Sequence, residues 1–185
     1  MIIRPFTFVG GDAGTWRVAG IAPVVGEPLA HVARVDVVDR SLASLPSGAR
    51  WLLRGVTSHE RYVTRDEHEL LAVKTPPLGR IEATCAALIP IRKSASWWAL
   101  AQDERRAILE TRSEHIKVGL QYLPAVARRL HHSRDLGEPF DFLTWFEYAP
   151  SDAGAFEELV GRLRRTEEWT YVEREVDIRL IRDAA

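Results

Sequence analysis

Hydrophobic and polar side chains alternate most regularly near the C-terminal end of this chain. Tyr171–Ile181 sets Val172, Val176, Ile178 and Leu180 on one face and Glu173, Glu175, Asp177 and Arg179 on the other, the two-residue period of a strand. Phe140–Tyr148 (FDFLTWFEY) is aromatic and β-branched between Gly137/Pro139 and Pro150-Ser151-Asp152, and predicts a second strand. Phe6–Gly10 and Trp16–Val25 have the same character between glycines. Val32–Asp39 reads as a strand or the opening of a helical turn, and Ser41–Arg50 as a connection. Trp51–Thr64 predicts one long strand or a hairpin arm, Ile81–Ile91 (IEATCAALIPI) a buried strand, and Val126–Ser133 a basic one.

Elsewhere the period lengthens. Asp103–Leu120 places Ile108, Arg112, His115, Ile116 and Gly119 along one stripe at spacings of three and four, which predicts a helix. Asp152–Arg165 repeats Phe156, Leu159, Val160 and Leu163 in the same way, with Ser151 or Asp152 as N-cap. Arg65–Lys74 is a shorter helix stopped by Pro76-Pro77, since proline cannot supply a backbone donor. From Ile81 onward the order is strand–helix–strand–strand–helix–strand, a ferredoxin-like unit. The first half reads as a looser, shortened version. The expectation is an α+β protein of two ferredoxin-like halves, 1–78 and 79–185, sharing one sheet system as an α+β barrel.

Composition narrows the chemistry. Twenty-five basic and twenty-six acidic residues are interspersed, with a net charge of −1, so nothing points to nucleic acid or an acidic membrane surface. No apolar stretch approaches the roughly 20 residues that span a bilayer. The N-terminus does not read as a signal peptide, and a soluble cytoplasmic protein is expected. The single cysteine, Cys85, excludes an intramolecular disulfide. There is no CxxCH, HExxH, P-loop or GxGxxG motif, and the six histidines lack the convergent spacing of a zinc site. His131 and His132 would point to opposite faces of a strand. His115 stands out on an apolar helical stripe. From spacing alone it is a buried histidine, and the residues go no further.

A set of motifs does. Ile89-Pro90-Ile91-Arg92-Lys93, Ser96-Trp97-Trp98, His115, Arg128 thirteen residues later, Thr144-Trp145-Phe146 and Glu167-Glu168-Trp169 together resemble the haem-binding half of the chlorite dismutase family. The resemblance is strongest from Ala83 to Pro150, and the short N-terminal half is similar to that of the family's truncated, dimeric branch. It implies a haem b enzyme that converts chlorite to chloride and dioxygen through ferryl iron and hypochlorite, working as a homodimer. His115 would be the axial iron ligand and Glu168 (or Glu167) the carboxylate behind it, raising imidazole donor strength. Arg128 would be the distal arginine, a fixed cation for the anionic substrate. Trp97, Ile91, Thr144 and Phe146 would line the haem pocket, and Lys93 and Tyr62 would contact the propionates. Thr75 departs from the glutamine that related short members often carry there, so Arg128 is expected to be less restrained. A coproheme decarboxylase of the same superfamily would use a tyrosine on the strand before the haem-binding helix and a neutral distal residue. Ile81–Lys93 has no tyrosine, and Arg128 is cationic. A peroxidase-like haem protein is the other alternative.

Overall fold

The computed structural model describes residues 4–57 and 62–183. Eight strands form a closed barrel: β1 (Arg4–Gly11), β2 (Trp16–Val25), β3 (Arg34–Val38), β4 (Ala49–Thr57), β5 (Cys85–Lys93), β6 (Ala127–His132), β7 (Phe142–Tyr148) and β8 (Val172–Arg182). Their order around the barrel is β1-β3-β2-β8-β5-β7-β6-β4. The second-half strands thus lie as β8-β5-β7-β6, and the first-half strands repeat that order as β4-β1-β3-β2. The first half keeps the ferredoxin-like strand order without helices between its strands, which explains why its sequence looks shortened.

Helix α1 (Arg65–Lys74) joins the halves and starts on a capping box. The Glu67 backbone N–H donates to Thr64 Oγ1 and the Thr64 N–H donates to the Glu67 carboxylate. Short helices α2 (Ala95–Ala99) and α3 (Gln102–Arg106), then α4 (His115–Gln121) and α5 (Ala153–Leu163), cover the second-half sheet. Strand β5 therefore buries both faces. Ala86 and Leu88 face the barrel interior, while Ala87, Ile89 and Ile91 face the helix layer. This explains its nearly unbroken apolar run. Among the described residues no helix is long and apolar enough to cross a membrane.

Three predicted elements are corrected. The strand expected to begin at Ile81 begins at Cys85, and Ile81 is 90% exposed. The arm expected to reach Thr64 ends at Thr57, with 58–61 outside the described residues. The single helix over Asp103–Leu120 is broken. A wide π-type turn (Ala107–Arg112) follows α3, and Glu114 takes a left-handed φ of 50° before α4 begins at His115.

The barrel interior is packed by Phe6, Phe8, Trp16, Leu53, Leu88, Trp145 and Ile178. His131 sits among them, edge-on to Phe6 and Phe8, with Nδ1 3.0 Å from the Leu143 carbonyl oxygen. Burial pushes its pKa down to about 4, so it is a neutral core histidine with the proton on Nδ1. Its neighbour His132 faces the helix layer, against Phe142. Two carboxylates on the charged face of β8, Glu175 and Asp177, are also buried. Arg164 of the segment after α5 donates to Glu175 and Asp177, because carboxylates in the sheet–helix layer require cationic partners.

Candidate active site

The sheet–helix layer encloses a cavity of about 360 Å³. Its sheet wall is built by alternation. On β6, Arg128, Leu130 and His132 share one face; on β7, Phe142, Thr144 and Phe146 do; on β5, Ile89 and Ile91 do. The register places Arg128 beside Phe146, Leu130 beside Thr144 and His132 beside Phe142, so the rows are continuous across strands. Helices α1, α4 and α5 supply the facing wall, including Leu71, Ile116 and Val160.

His115 enters from the first residue of α4. The helix break before it has one local cause and one distant one. Glu110 reaches forward to accept the backbone N–H of Ile116 at 2.8 Å and of Lys117 at 3.3 Å, serving as the cap of α4 in place of a preceding side chain. Ser113 Oγ accepts the Glu168 N–H at 3.0 Å, tying the turn to the 3₁₀ segment Glu167–Tyr171. That tie brings Glu168 behind the imidazole: His115 Nδ1 lies 2.6 Å from Glu168 Oε2. With the Nδ1 proton held by the carboxylate, the lone pair of the imidazole is on Nε2.

Glu168 is the carboxylate in contact with His115. Its neighbour Glu167 pairs with Arg112 at the surface. The second oxygen of Glu168 accepts from Lys93 Nζ at 2.8 Å, and the Glu168 carbonyl accepts from the same ammonium at 3.2 Å. Both side chains are about 95% buried. Lys93, expected at a haem propionate, pairs here with Glu168 and completes a His115–Glu168–Lys93 triad, because an ammonium this buried needs a counter-charge beside it. Burial alone would raise the Glu168 pKa, but its partners His115 and Lys93, by electrostatic attraction and hydrogen bonds, bring it down to about 2.

The remaining predicted residues all line the same cavity. Trp97 is almost wholly buried under the Lys93 ammonium, 4.7 Å from the ring centre, and its Nε1 has no hydrogen-bond partner among the described residues. Thr75 caps the end of α1, and Tyr62 approaches from the start of the α1 segment. Arg128 extends towards α4 one turn beyond His115, where a Cβ on Gly119 would sit 3.8 Å from its guanidinium. Arg129 also borders the cavity, with its guanidinium 5.1 Å over the Phe6 ring. Sequence reasoning passed over Trp169, which stacks on His115, and Ser113, which anchors Glu168. The adjacency of Trp169 to Glu168 was the available signal for the first; Ser113 offered none.

An apolar cavity walled by a carboxylate-backed histidine and a strand-borne arginine defines an α+β barrel with one ligand chamber in its sheet–helix layer. The chain belongs to the chlorite dismutase family, whose model matches residues 42–182. A chlorite dismutase of Ideonella dechloratans is 34% identical over 128 residues, which are 64% of this chain and 40% of that protein. The chain thus spans well under half the length of that relative. The crystal structure of a dimeric chlorite dismutase from Nitrobacter winogradskyi superposes with a TM-score of 0.90 at 59% identity, over 96% of this chain and 99% of that one. A variant of the chlorite dismutase from Candidatus Nitrospira defluvii shares the fold, with a TM-score of 0.71 at 22% identity over 96% of this chain and 90% of the other.

Proposed function

We propose that this protein is a haem b chlorite dismutase, converting chlorite to chloride and dioxygen. The observation that carries the reading is the His115–Glu168–Lys93 triad in one apolar cavity with Arg128. The residues fit a haem. His115 presents the imidazole lone pair, the apolar sheet wall suits a flat macrocycle, and the unpartnered buried Trp97 Nε1 suits an acceptor oxygen at its edge. When bound, haem supplies the redox-active iron.

The chain's own residues do the rest. Glu168 keeps the proton on His115 Nδ1 and so fixes the ligating tautomer, while Lys93 holds Glu168 ionised. Arg128 supplies a cation that stays protonated at any working pH and two parallel donors for an oxyanion. Ile91, Thr144 and Phe146 exclude water from the chamber, which strengthens the attraction of Arg128 for its anion. Tyr62 borders the chamber where a propionate would emerge. A cytoplasmic homodimer is part of this reading. It is supported by the dimeric Nitrobacter relative and by Val73 and Ile81, large apolar side chains that are 85% and 90% exposed.

The test is a haem titration followed by chlorite addition in an oxygen electrode, on a preparation whose mass is read by sedimentation. The expected result is a dimer with a Soret band and rapid dioxygen release, both lost in His115→Ala. Haem binding without dioxygen release, with dye oxidation by hydrogen peroxide in its place, would move the function to a peroxidase. The same traces examine Thr75. Thr75→Gln is expected to slow self-inactivation during turnover by giving Arg128 a longer hydrogen-bonding neighbour; unchanged decay would remove that role from position 75.

A further inference from the structure

Trp169 takes no part in the proposed reaction, yet its surroundings suit more than packing. Its ring lies nearly parallel to that of His115, with 17° between planes and 6.4 Å between centroids. Its Nε1–H donates to Glu175 Oε2 at 2.7 Å. Glu175 is fully buried, and its other oxygen accepts from Arg164 at 2.8 and 2.6 Å. Arg164 also reaches Asp177 at 2.9 Å, and Arg179 bridges Asp177 to Glu157. Three carboxylates (Glu157, Glu175 and Asp177) thus face two guanidiniums (Arg164 and Arg179), a network with one net negative charge that meets the indole at Glu175.

A packing tryptophan needs only some acceptor for its N–H, and a backbone carbonyl or water suffices. A buried carboxylate can also take the proton. We infer that Trp169 is a redox-active residue that gives one electron to a one-electron oxidant in the cavity, an oxidised haem in the natural protein, while its Nε1 proton passes to Glu175. In that step the indole N–H bond breaks and an O–H bond forms on Glu175. Trp169 becomes a neutral radical, and the oxidant is reduced by one electron. Lys93 decides between radical forms. Its ammonium lies 5.3 Å over the Trp169 ring, which favours the electron-rich reduced indole and opposes a cation radical, so the proton leaves. Trp97 lies under the same ammonium, but among the described residues its Nε1 has no carboxylate of the protein to take its proton.

The natural oxidant rests on the haem reading; the redox character of Trp169 does not. Two arms keep them apart. In the first, a flash converts tris(bipyridyl)ruthenium(II), with persulfate as sacrificial acceptor, to ruthenium(III), a one-electron oxidant that needs no cofactor. Transient absorption and freeze-quenched electron paramagnetic resonance are expected to show a neutral tryptophanyl radical. The signal is expected to be lost in Trp169→Phe, kept in Trp97→Phe and replaced by a tyrosyl signal in Trp169→Tyr. Glu175→Gln is expected to remove the neutral form. A signal undiminished in Trp169→Phe, or a tyrosyl signal in the unsubstituted protein, overturns the assignment. In the second arm, hydrogen peroxide is added to haem-loaded protein. The same pattern supports haem as the route of oxidation. A radical in the first arm alone keeps Trp169 as a redox residue and counts against the haem reading.

Discussion

Arg128→Ala is expected to lower kcat/KM for dioxygen release from chlorite by roughly 10²- to 10³-fold, the usual effect of deleting one preorganised donor from an anion site. The size follows from placement. Arg128 stands on β6 in the row that also carries Phe146, so its charge is presented to an apolar wall in place of bulk water. Attraction between a guanidinium and an oxyanion is several times stronger there than in solvent. Arg128→Lys is expected to recover part of the loss, since it restores charge without the two-pronged donor geometry. The haem spectrum should persist in both variants, because His115 is untouched. Steady-state oxygen traces of the three proteins decide it. Equal kcat/KM in the unsubstituted protein and Arg128→Ala would take the arginine out of the reaction.

The second large effect concerns Glu168. Glu168→Ala leaves the Lys93 ammonium about 95% buried with no carboxylate, a change that costs about 3–5 kcal/mol of stability. It also releases the Nδ1 proton of His115, so a 10- to 100-fold fall in cofactor affinity, of the order seen when a group behind a metal ligand is removed, should accompany it. Replacing both partners, as in Glu168→Leu with Lys93→Met, is expected to recover much of the stability and none of the affinity. That split separates the structural role of the pair from its role towards His115.

Acid gives an independent reading of the same group. The Glu168 pKa is lowered from 4.5 to about 2 on folding. Between those values the unfolded chain binds a proton that the folded protein does not. Stability contributed by Glu168 is therefore full above pH 4.5 and lost as pH falls towards 2, in total about 3 kcal/mol. Urea unfolding at pH 6 and pH 3 should show a smaller drop in Glu168→Gln than in the unsubstituted protein. Equal drops would mean that the carboxylate is not held ionised by its partners.

The pattern of side chains along the chain was enough for nearly every strand, for α5 and for the alternation that puts Arg128 and His132 on one face and His131 on the other. Each of these depends on neighbours two to four positions away, and local period carries that information. Motif resemblance added His115, Arg128 and Glu168, and all three meet in one cavity. What local period could not carry was contact between distant segments. Lys93 was expected to meet a haem propionate, and the carboxylate it pairs with lies 75 residues further on. The alternation on β8 set Glu175 and Asp177 on its charged face, and nothing nearby in the chain showed that Arg164 would pair with both. The stripe through Ile108, His115 and Gly119 looked like one helix. The break at Glu114 exists because Ser113 is bonded to a segment 55 residues away. The sequence by itself determined where most strands and α5 would form and which neighbouring side chains alternation would send to opposite faces. Only the tertiary structure decided which charges share a burial site, because a buried ion is stabilised by whatever partner the fold brings within about 3 Å, however far off in the chain.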